Sequence, residues 1–396
     1  MFNTLIHIRE GTWDAAFGIA SNSFSVLESE KVSLSDANAR TLASDVKALC
    51  DLPAFATSSM DGWAVTAGSP WKVIGEVATG KTSNQIIGAS ECMKISTGGV
   101  IPAGTTAVIP WENATEQDGH ISGSVEHGAN IRPAGAECKK DELLFKQGTL
   151  LAPPILGLLA ATGHDFIEVT RRPRIAIFFL GDELLHTGVP ADGCIRDALG
   201  PQIPAVLQSF GAAVISTTFV KDDLDTLNKV IESALDLADI IITTGGTAEG
   251  PKDYVKAAIA HINGELVIDC VKVRPGYHTI VAQVNSGARK IAFLALPGNP
   301  QSALAGLFSF GLPLINNFLG RQQMDLKKVS ITSPISTPEG FSRLIPGRVN
   351  NGEFISGDFL GSAMLRGVAV AEGFALINPG NNSAGSFARW IPFTWN

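Results

Sequence analysis

Two segments of the chain share one physical device. Ile240 to Tyr254 reads IIITTGGTAEGPKDY, and Phe293 to Leu307 reads FLALPGNPQSALAGL. In each, an apolar run enters a Gly/Pro loop that opens a helix. Such loops lie at the carboxyl ends of strands in an α/β sheet, where unpaired N–H groups and the helix dipole receive anions. Gly245, Gly246 and Gly250 keep the first loop thin enough for its N–H groups to reach a phosphate. Pro297, Gly298, Asn299 and Pro300 build the second. A third segment, FATSSMDGWAV from Phe55 to Val65, sets Asp61 in a tight turn. Asp61 can close that turn through its own backbone or hold a cation or ligand. Thr97, ahead of Gly98 and Gly99, offers a hydroxyl where backbone approach is close, or forms a plain turn. Any one loop is accounted for by an ordinary β–α connection. Together they point to a phosphorylated, polar small molecule.

Further groups with chemistry stand at similar places. Asp182 and Glu183 follow directly on a strand ending at Leu180. Asp222, after the run Ala213–Val220, is either a further site carboxylate or a helix N-cap. Asp253 can cap the helix it precedes or act as a hard oxygen ligand to Mg²⁺, which favours one or two carboxylates plus substrate oxygens. Arg274, Arg343 and Arg348 carry forked donors that match tetrahedral oxyanions; a solvated surface charge is the alternative for each.

The elements that position these groups follow from texture. Residues 12–48 read as helical, residues 50–140 as short β runs cut by Gly, Pro and Asn, and residues 141–170 as helical again. From Arg174 the chain alternates. Strands are expected at Arg174–Leu180, Ala213–Val220 and Asp239–Thr244, and near 266–273, 279–284 and 290–296. Helices are expected at Pro201–Phe210, Leu224–Leu237 and from Asp253. That alternation implies a parallel sheet with helices on both faces. The last 70 or so residues are short strands with turn punctuation, as in a small barrel or sandwich. Four domains result: a discontinuous helical linking domain (1–48 and 141–170), an inserted β domain (49–140), an α/β domain (171–325) and a C-terminal β barrel (326–396).

Composition narrows the class. With 396 residues, 45% apolar and 17% charged, the chain is expected to fold into several domains. A net charge of −8 gives no electrostatic footprint for nucleic acid, and leaves room for a local basic pocket beneath that average. Five dispersed cysteines without a C-x-x-C pair argue against a disulfide framework or zinc site and for a reducing cytoplasm. His7, Arg9, Glu10 and Asp14 interrupt any signal-peptide core at the N-terminus. Ile291–Gly320 has no charged residue, but Pro297, Pro300 and Pro313 break it, so it reads as buried core and not as a membrane span.

The motifs SSMDGWAV (58–65), ISTGGVIPAGTTAVI (95–109), NIRPAG (130–135), GDEL (181–184), TTGGTAEGPKDY (243–254), RPG (274–276), LPGNPQSA (296–303) and RLIPGR (343–348) occur in one order. In that order the chain resembles the MoeA family of molybdopterin molybdenumtransferases, whose domain is also the C-terminal part of gephyrin. The resemblance implies an α/β multidomain architecture: a central MogA-like three-layer α/β domain with a mostly parallel sheet, an inserted β domain, a helical linking domain and a small C-terminal β barrel. It implies a Mg²⁺-dependent reaction in which molybdate enters adenylylated molybdopterin and AMP leaves. Asp61, Glu183 and Asp253 would be catalytic, and with Asp222 would hold the metal. Thr97, Arg132, Asp182, Ser362, the two loops and the three arginines would bind substrate. It also implies a homodimer with the site shared between subunits. Molybdopterin adenylyltransferase or molybdoenzyme apoproteins would be its partners.

Several positions depart from the family pattern. Tyr277 replaces the second Lys of K-P-G-K-P, and His278 its final Pro. Pro251 replaces an acidic residue, Leu180 a hydroxyl before Gly181, and Ala198 and Leu199 a hydroxyl and an Asn after Asp197. Of an Arg-rich stretch only Arg132 remains, followed by Pro133 and Ala134. The departures leave a second reading: a catalytically degenerate, gephyrin-like dimeric scaffold that binds a protein peptide.

Overall fold

Apolar alternation sets the layers of the larger unit. The computed structural model describes residues 8–77, 80–81, 83–248, 250 and 253–395. The chain divides into two units, one holding residues 1–30, 39–43 and 169–396, the other 31–38 and 44–168.

In the larger unit seven strands form one sheet, in the order Ile8–Gly11, Glu265–Val271, Ile280–Ser286, Arg289–Leu296, Ile240–Thr244, Arg174–Leu180 and Ala213–Val220. All run parallel except Ile280–Ser286, which is antiparallel to both neighbours. The sheet is therefore mostly parallel. The expected run near 279–284 is the reversed strand, because the short 287–288 connection to Arg289 leaves room only for a hairpin.

Ile175, Ile177 and Phe179 pack with helices Trp13–Asn22 and Leu199–Ser209. Ala176, Phe178 and Leu180 pack on the opposite face with Leu224–Ala234 and Val255–His261. Side chains alternate across a strand, so this one run separates the two helical layers. The charge-free stretch forms strand Arg289–Leu296 and the buried helical turns from Pro300 to Phe318. Among the described residues no helix is long and apolar enough to cross a membrane.

Beyond the sheet, strands Lys328–Ile331, Ser342–Asn350, Glu353–Ser356, Gly373–Ile377 and Phe387–Pro392 close into a small barrel. Closure comes from Ser342–Asn350, which pairs with both Glu353–Ser356 and Gly373–Ile377. Val329, Ile331, Ile345, Phe354 and Ile377 fill its interior.

The smaller unit contains a six-stranded sheet: Ala114–Gln117, His120–Gly123, Trp71–Val77, Glu91–Ile95, Gly62–Val65 and Ala107–Pro110. Its central strands are buried on both faces, with Trp63 and Val65 on one side and Ala64 on the other.

The helical texture of 12–48 and 141–170 is corrected. Only Trp13–Asn22 and Pro153–Ala161 are α-helices, and Ser29–Ser33, Thr41–Leu42, Val46–Lys47, Leu143–Phe145 and Phe166–Thr170 are strands. The Leu34 amide donates to Asp165 O at 3.0 Å, and the Ala48 amide to Glu142 O at 2.9 Å. Such pairing between positions about a hundred residues apart overrides local propensity. Residues 8–22 also add an edge strand and a helix to the α/β layers; the Trp13 indole N–H donates to Ser309 Oγ at 3.0 Å.

At the amino ends of the parallel strands, Asp239 is buried. It accepts from Arg171 at 2.5 and 2.8 Å and from the Arg174 amide at 2.8 Å. Burial alone would raise its carboxyl pKa, but these bonds outweigh it and hold it below the ordinary carboxylate range. Asp239→Ala takes away the buried bidentate partner of Arg171 and leaves it only the exposed Glu28 carboxylate, an expected loss of about 3 kcal/mol in chemical denaturation. Because the folded pKa is depressed, this stability is fully present above the unfolded carboxylate pKa of ~3.9 and lost as pH falls through the folded value. The difference between wild type and variant should stay constant near neutrality and shrink in acid.

Candidate active site

The parallel strands deliver their loops to one edge of the sheet. The loops after Leu180, Val220, Thr244 and Leu296 surround a cleft of about 650 Å³. Gly245 and Gly246 hold φ of 84° and 63°, in the left-handed region. A Cβ on Gly245 would stand 3.0 Å from Leu180 O, and one on Gly298 would stand 3.5 Å from Gly245 Cα. Three backbones thus meet without intervening side chains, as a phosphate-binding floor requires.

Glu183, Asp222 and Asp253 line this cleft. Asp253 is not a helix cap: its Oδ2 accepts from the Gly250 amide at 2.6 Å, while helix Val255–His261 starts after Tyr254 with no side-chain cap. Asp222 is not a cap either, because the neighbouring Asp223 accepts from the Thr226 amide at 2.8 Å and does that work. Asp182 and Asp222 clasp their loops reciprocally. Asp182 Oδ1 accepts from the Asp222 amide at 3.3 Å, and Asp222 Oδ2 from the Asp182 amide at 3.4 Å. Asp182 and Gly250 therefore adjoin the cleft through hydrogen bonds to its lining carboxylates Asp222 and Asp253.

Asp197 is a residue that sequence reasoning passed over. It is buried and accepts from the Leu199 and Gly200 amides, each at 3.0 Å, fixing the start of helix Leu199–Ser209. Its D-x-x-G spacing ahead of an apolar helix was the available signal. Pro251 lies outside the described residues.

A second cavity of about 490 Å³ holds Arg274, Arg343, Ser302 and Ser362, and shares His278, Pro297 and Asn299 with the first. Arg274 and Arg343 are register partners in the parallel pairing of Val273–Arg274 with Ser342–Arg343. Like charges side by side are unfavourable, and a tetrahedral oxyanion between two guanidinium forks is their complement. Arg274 also lies over the Phe341 ring, 5.2 Å from its centroid. Ser362 docks on the Pro297–Pro300 loop: its O accepts from the Gln301 amide at 3.0 Å and its Oγ from Asn299 Nδ2 at 3.4 Å. Tyr277, standing where the resemblance expects Lys, donates its hydroxyl proton to Glu10.

Arg348 stands apart from Arg274 and Arg343. Five positions beyond Arg343 on the same strand, it lines a separate cavity of about 370 Å³ with Arg366 and Asp358. In the smaller unit, Asp61 Oδ1 accepts from the Thr97 amide at 2.7 Å, so the turn and the Thr97 loop are joined. Arg132 is exposed on strand Ile131–Arg132, paired with Thr57–Ser58. Among the described residues no three His, Cys, Asp or Glu side chains form a group that could hold a metal. The oxygen donors of Asp222 and Asp253 are nonetheless the hard type that Mg²⁺ takes in small number beside phosphate oxygens.

A three-layer α/β domain with a glycine-floored cleft, joined to a small barrel, is the class of fold these elements define. Residues 176–317 match the model of a probable molybdopterin binding domain, and residues 12–163 that of the MoeA N-terminal region, domains I and II. A molybdopterin molybdenumtransferase of Staphylococcus aureus (strain COL) is 31% identical over 319 residues, 77% of this chain and 75% of that protein. One of Staphylococcus epidermidis is 29% identical over 329 residues, 79% and 78% of the two chains. The crystal structure of a molybdopterin biosynthesis MoeA protein from Pyrococcus horikoshii superposes with a TM-score of 0.80 at 24% identity, over 96% of this chain and 98% of that one. The chain belongs to the MoeA family, the molybdopterin molybdenumtransferases of molybdenum cofactor biosynthesis.

The paired arginines generate a test. In anion-free buffer, Arg343→Gln should be neutral or slightly stabilising, since it relieves repulsion. Added molybdate or phosphate should raise the thermal midpoint of wild type by a few degrees, through ligand linkage, and leave the variant unmoved. An equal rise in both proteins would refute the oxyanion assignment.

Proposed function

We propose that the chain transfers molybdenum from molybdate into adenylylated molybdopterin, with release of AMP, in a Mg²⁺-dependent reaction in the cytoplasm. The observation that carries this reading is the junction of two unlike cavities through a shared wall. One is floored by glycine amides and edged by carboxylates; the other carries two arginines whose forked donors suit a tetrahedral dianion. In this reading the Gly245–Gly246 and Pro297–Pro300 loops bind the phosphates of the adenylylated pterin, and Arg274 and Arg343 bind molybdate. Asp253, with Asp222 and Glu183, would hold Mg²⁺, which when bound neutralises phosphate oxygens. Asp61, Thr97 and Arg132, on the other unit, enter the reading through the family resemblance alone. The named relatives are transferases, which favours this reading over a non-catalytic scaffold.

The chain is expected to restore nitrate reductase activity to a bacterial strain lacking this transferase. Failure of well-expressed, folded protein to do so, even with excess molybdate, would overturn the proposal. Asp253→Ala should lower turnover by about 10²–10³-fold, while costing about 1 kcal/mol of stability through its exposed bond to Gly250. A dimer belongs to the same reading. Light scattering should give twice the subunit mass of 41.6 kDa.

A further inference from the structure

Arg274 and Arg343 stand side by side, and among the described residues no carboxylate pairs with either. What meets the Arg274 guanidinium instead is the face of Phe341, 5.2 Å away at the ring centroid. Phe341 is not itself part of the anion-pocket lining. It precedes Arg343 by two positions, so the period-two alternation of a strand puts both side chains on one side of the chain. Its amide donates to Pro338 O at 3.0 Å, and Pro338 belongs to the pocket wall. Tyr277 packs beside it, with ring centroids 5.7 Å apart. The Tyr277 hydroxyl in turn donates to Glu10 on the edge strand Ile8–Gly11. A line of contacts thus runs from the edge strand through two rings to Arg274.

We propose that Phe341, braced by Tyr277, is a positioning residue for the reaction: it holds the Arg274 guanidinium oriented for the oxyanion without neutralising it. This inference rests on the assignment of the arginine pocket to molybdate under Proposed function.

Arg274 is exposed, and a long exposed side chain has many rotamers open to it. The like charge of Arg343 beside it favours those that turn away. Ordering the guanidinium only when the anion arrives would subtract from affinity. A neighbouring carboxylate could order it beforehand, but would also cancel the charge that the dianion needs. An aromatic face does the first without the second. The ring quadrupole attracts the cation, carries no net charge, and leaves the guanidinium N–H donors to other acceptors. Arginine suits such a platform better than lysine, because its planar fork stacks on a ring and still presents its donors in plane. Two departures from the family pattern then read as a set. Where K-P-G-K-P supplies two flexible cations, this chain supplies one arginine at 274 and, at 277, a ring that braces its platform.

The experiment is calorimetric titration of the full chain with sodium molybdate alone. Phe341→Leu removes the ring and keeps an apolar side chain. It should bind about three- to fivefold more weakly, the range of a cation–π contact at an exposed site. Phe341→Tyr keeps the ring and should stay within about twofold of wild type. Arg274→Lys keeps the charge on a flexible stem without the planar fork. In that background the further change Phe341→Leu should cost less than about twofold, as a group acting through Arg274 requires. An equal fold-loss in both backgrounds would show Phe341 acting through the fold, and would overturn the inference while the molybdate pocket stands. Proton–nitrogen NMR of the chain labelled with ¹⁵N-arginine reads the contact with no anion present. The Arg274 Nε–H signal, the one missing in Arg274→Lys, should carry a ring-current shift in wild type and in Phe341→Tyr, and lose it in Phe341→Leu. An unshifted signal in wild type overturns the inference even if Phe341→Leu fails to fold. Absence of molybdate binding by wild type overturns the pocket assignment itself, and the inference with it.

Discussion

A short excursion between two sheet strands holds the site together. The Val271 amide donates to Tyr277 O at 2.9 Å, closing a loop over residues 272–276. One side of that loop is tied to the edge strand, Lys272 N to Gly11 O at 2.8 Å. The other is tied to the barrel, Ser342 N to Lys272 O at 2.9 Å. Backbone pairing therefore places Arg274 against Arg343 whatever their charges prefer. A net backbone hydrogen bond is worth about 0.5–1.5 kcal/mol. A few of them offset the repulsion of two half-solvated guanidinium groups, which screening already reduces. The result is a pocket preorganised for an anion before any anion is present, because the fold has already met the cost of bringing the cations together.

The departures from the family pattern are absorbed by local physics. Tyr277 removes a cation, but its hydroxyl reaches Glu10 and so fixes the edge strand beside the pocket. Leu180 removes a hydroxyl and joins the apolar layer beneath the cleft, while its carbonyl still presses against Gly245. Leu199 is buried against the opposite layer, and the capping that a hydroxyl could have supplied is carried by Asp197. These exchanges remove polar groups from the walls but leave the floor of amides and the paired arginines in place. A site of this kind works mainly by positioning and electrostatics, and so tolerates wall changes better than loss of its fixed charges.

Legibility in the sequence followed the range of the interaction. The strands Arg174–Leu180 and Ala213–Val220 fall where their apolar runs place them, and the Gly/Pro loops line the cleft as their position at strand ends implies. The reversed strand Ile280–Ser286 and the edge strand Ile8–Gly11 were harder, because direction depends on the partner chosen and not on composition. The helical texture of residues 12–48 misled for the same reason: Leu34, Leu42 and Val46 pair with segments about a hundred or more positions away. At the site, residue type was legible and partner was not. Asp222 and Asp223 are adjacent carboxylates, and only backbone geometry shows that the second caps the helix and leaves the first to the cleft. Arg343 and Arg348 look equivalent as charges, yet an odd spacing along one strand sends them to different cavities.

Under the proposed function, the shared wall would make the two cavities one reaction site. Pro297, Asn299 and His278 border both cavities, so a ligand in each stands one side-chain layer from the other. Fixing two reactants in this way converts an encounter in solution into an intramolecular event, with effective concentrations of about 10⁵–10⁸ M for well-aligned groups. That gain exists only if the wall is stiff. Here stiffness comes from main-chain contacts that do not depend on side-chain rotamers. Gly245 N donates to Leu296 O at 2.9 Å, and Gln301 N to Ser362 O at 3.0 Å. The first bond holds the two loops of the cleft together, and the second holds the barrel's serine to the second loop. Displacing either loop would therefore move the anion pocket and the cleft relative to one another. The walls that border both cavities are thus set by backbone hydrogen bonds before any side chain is placed.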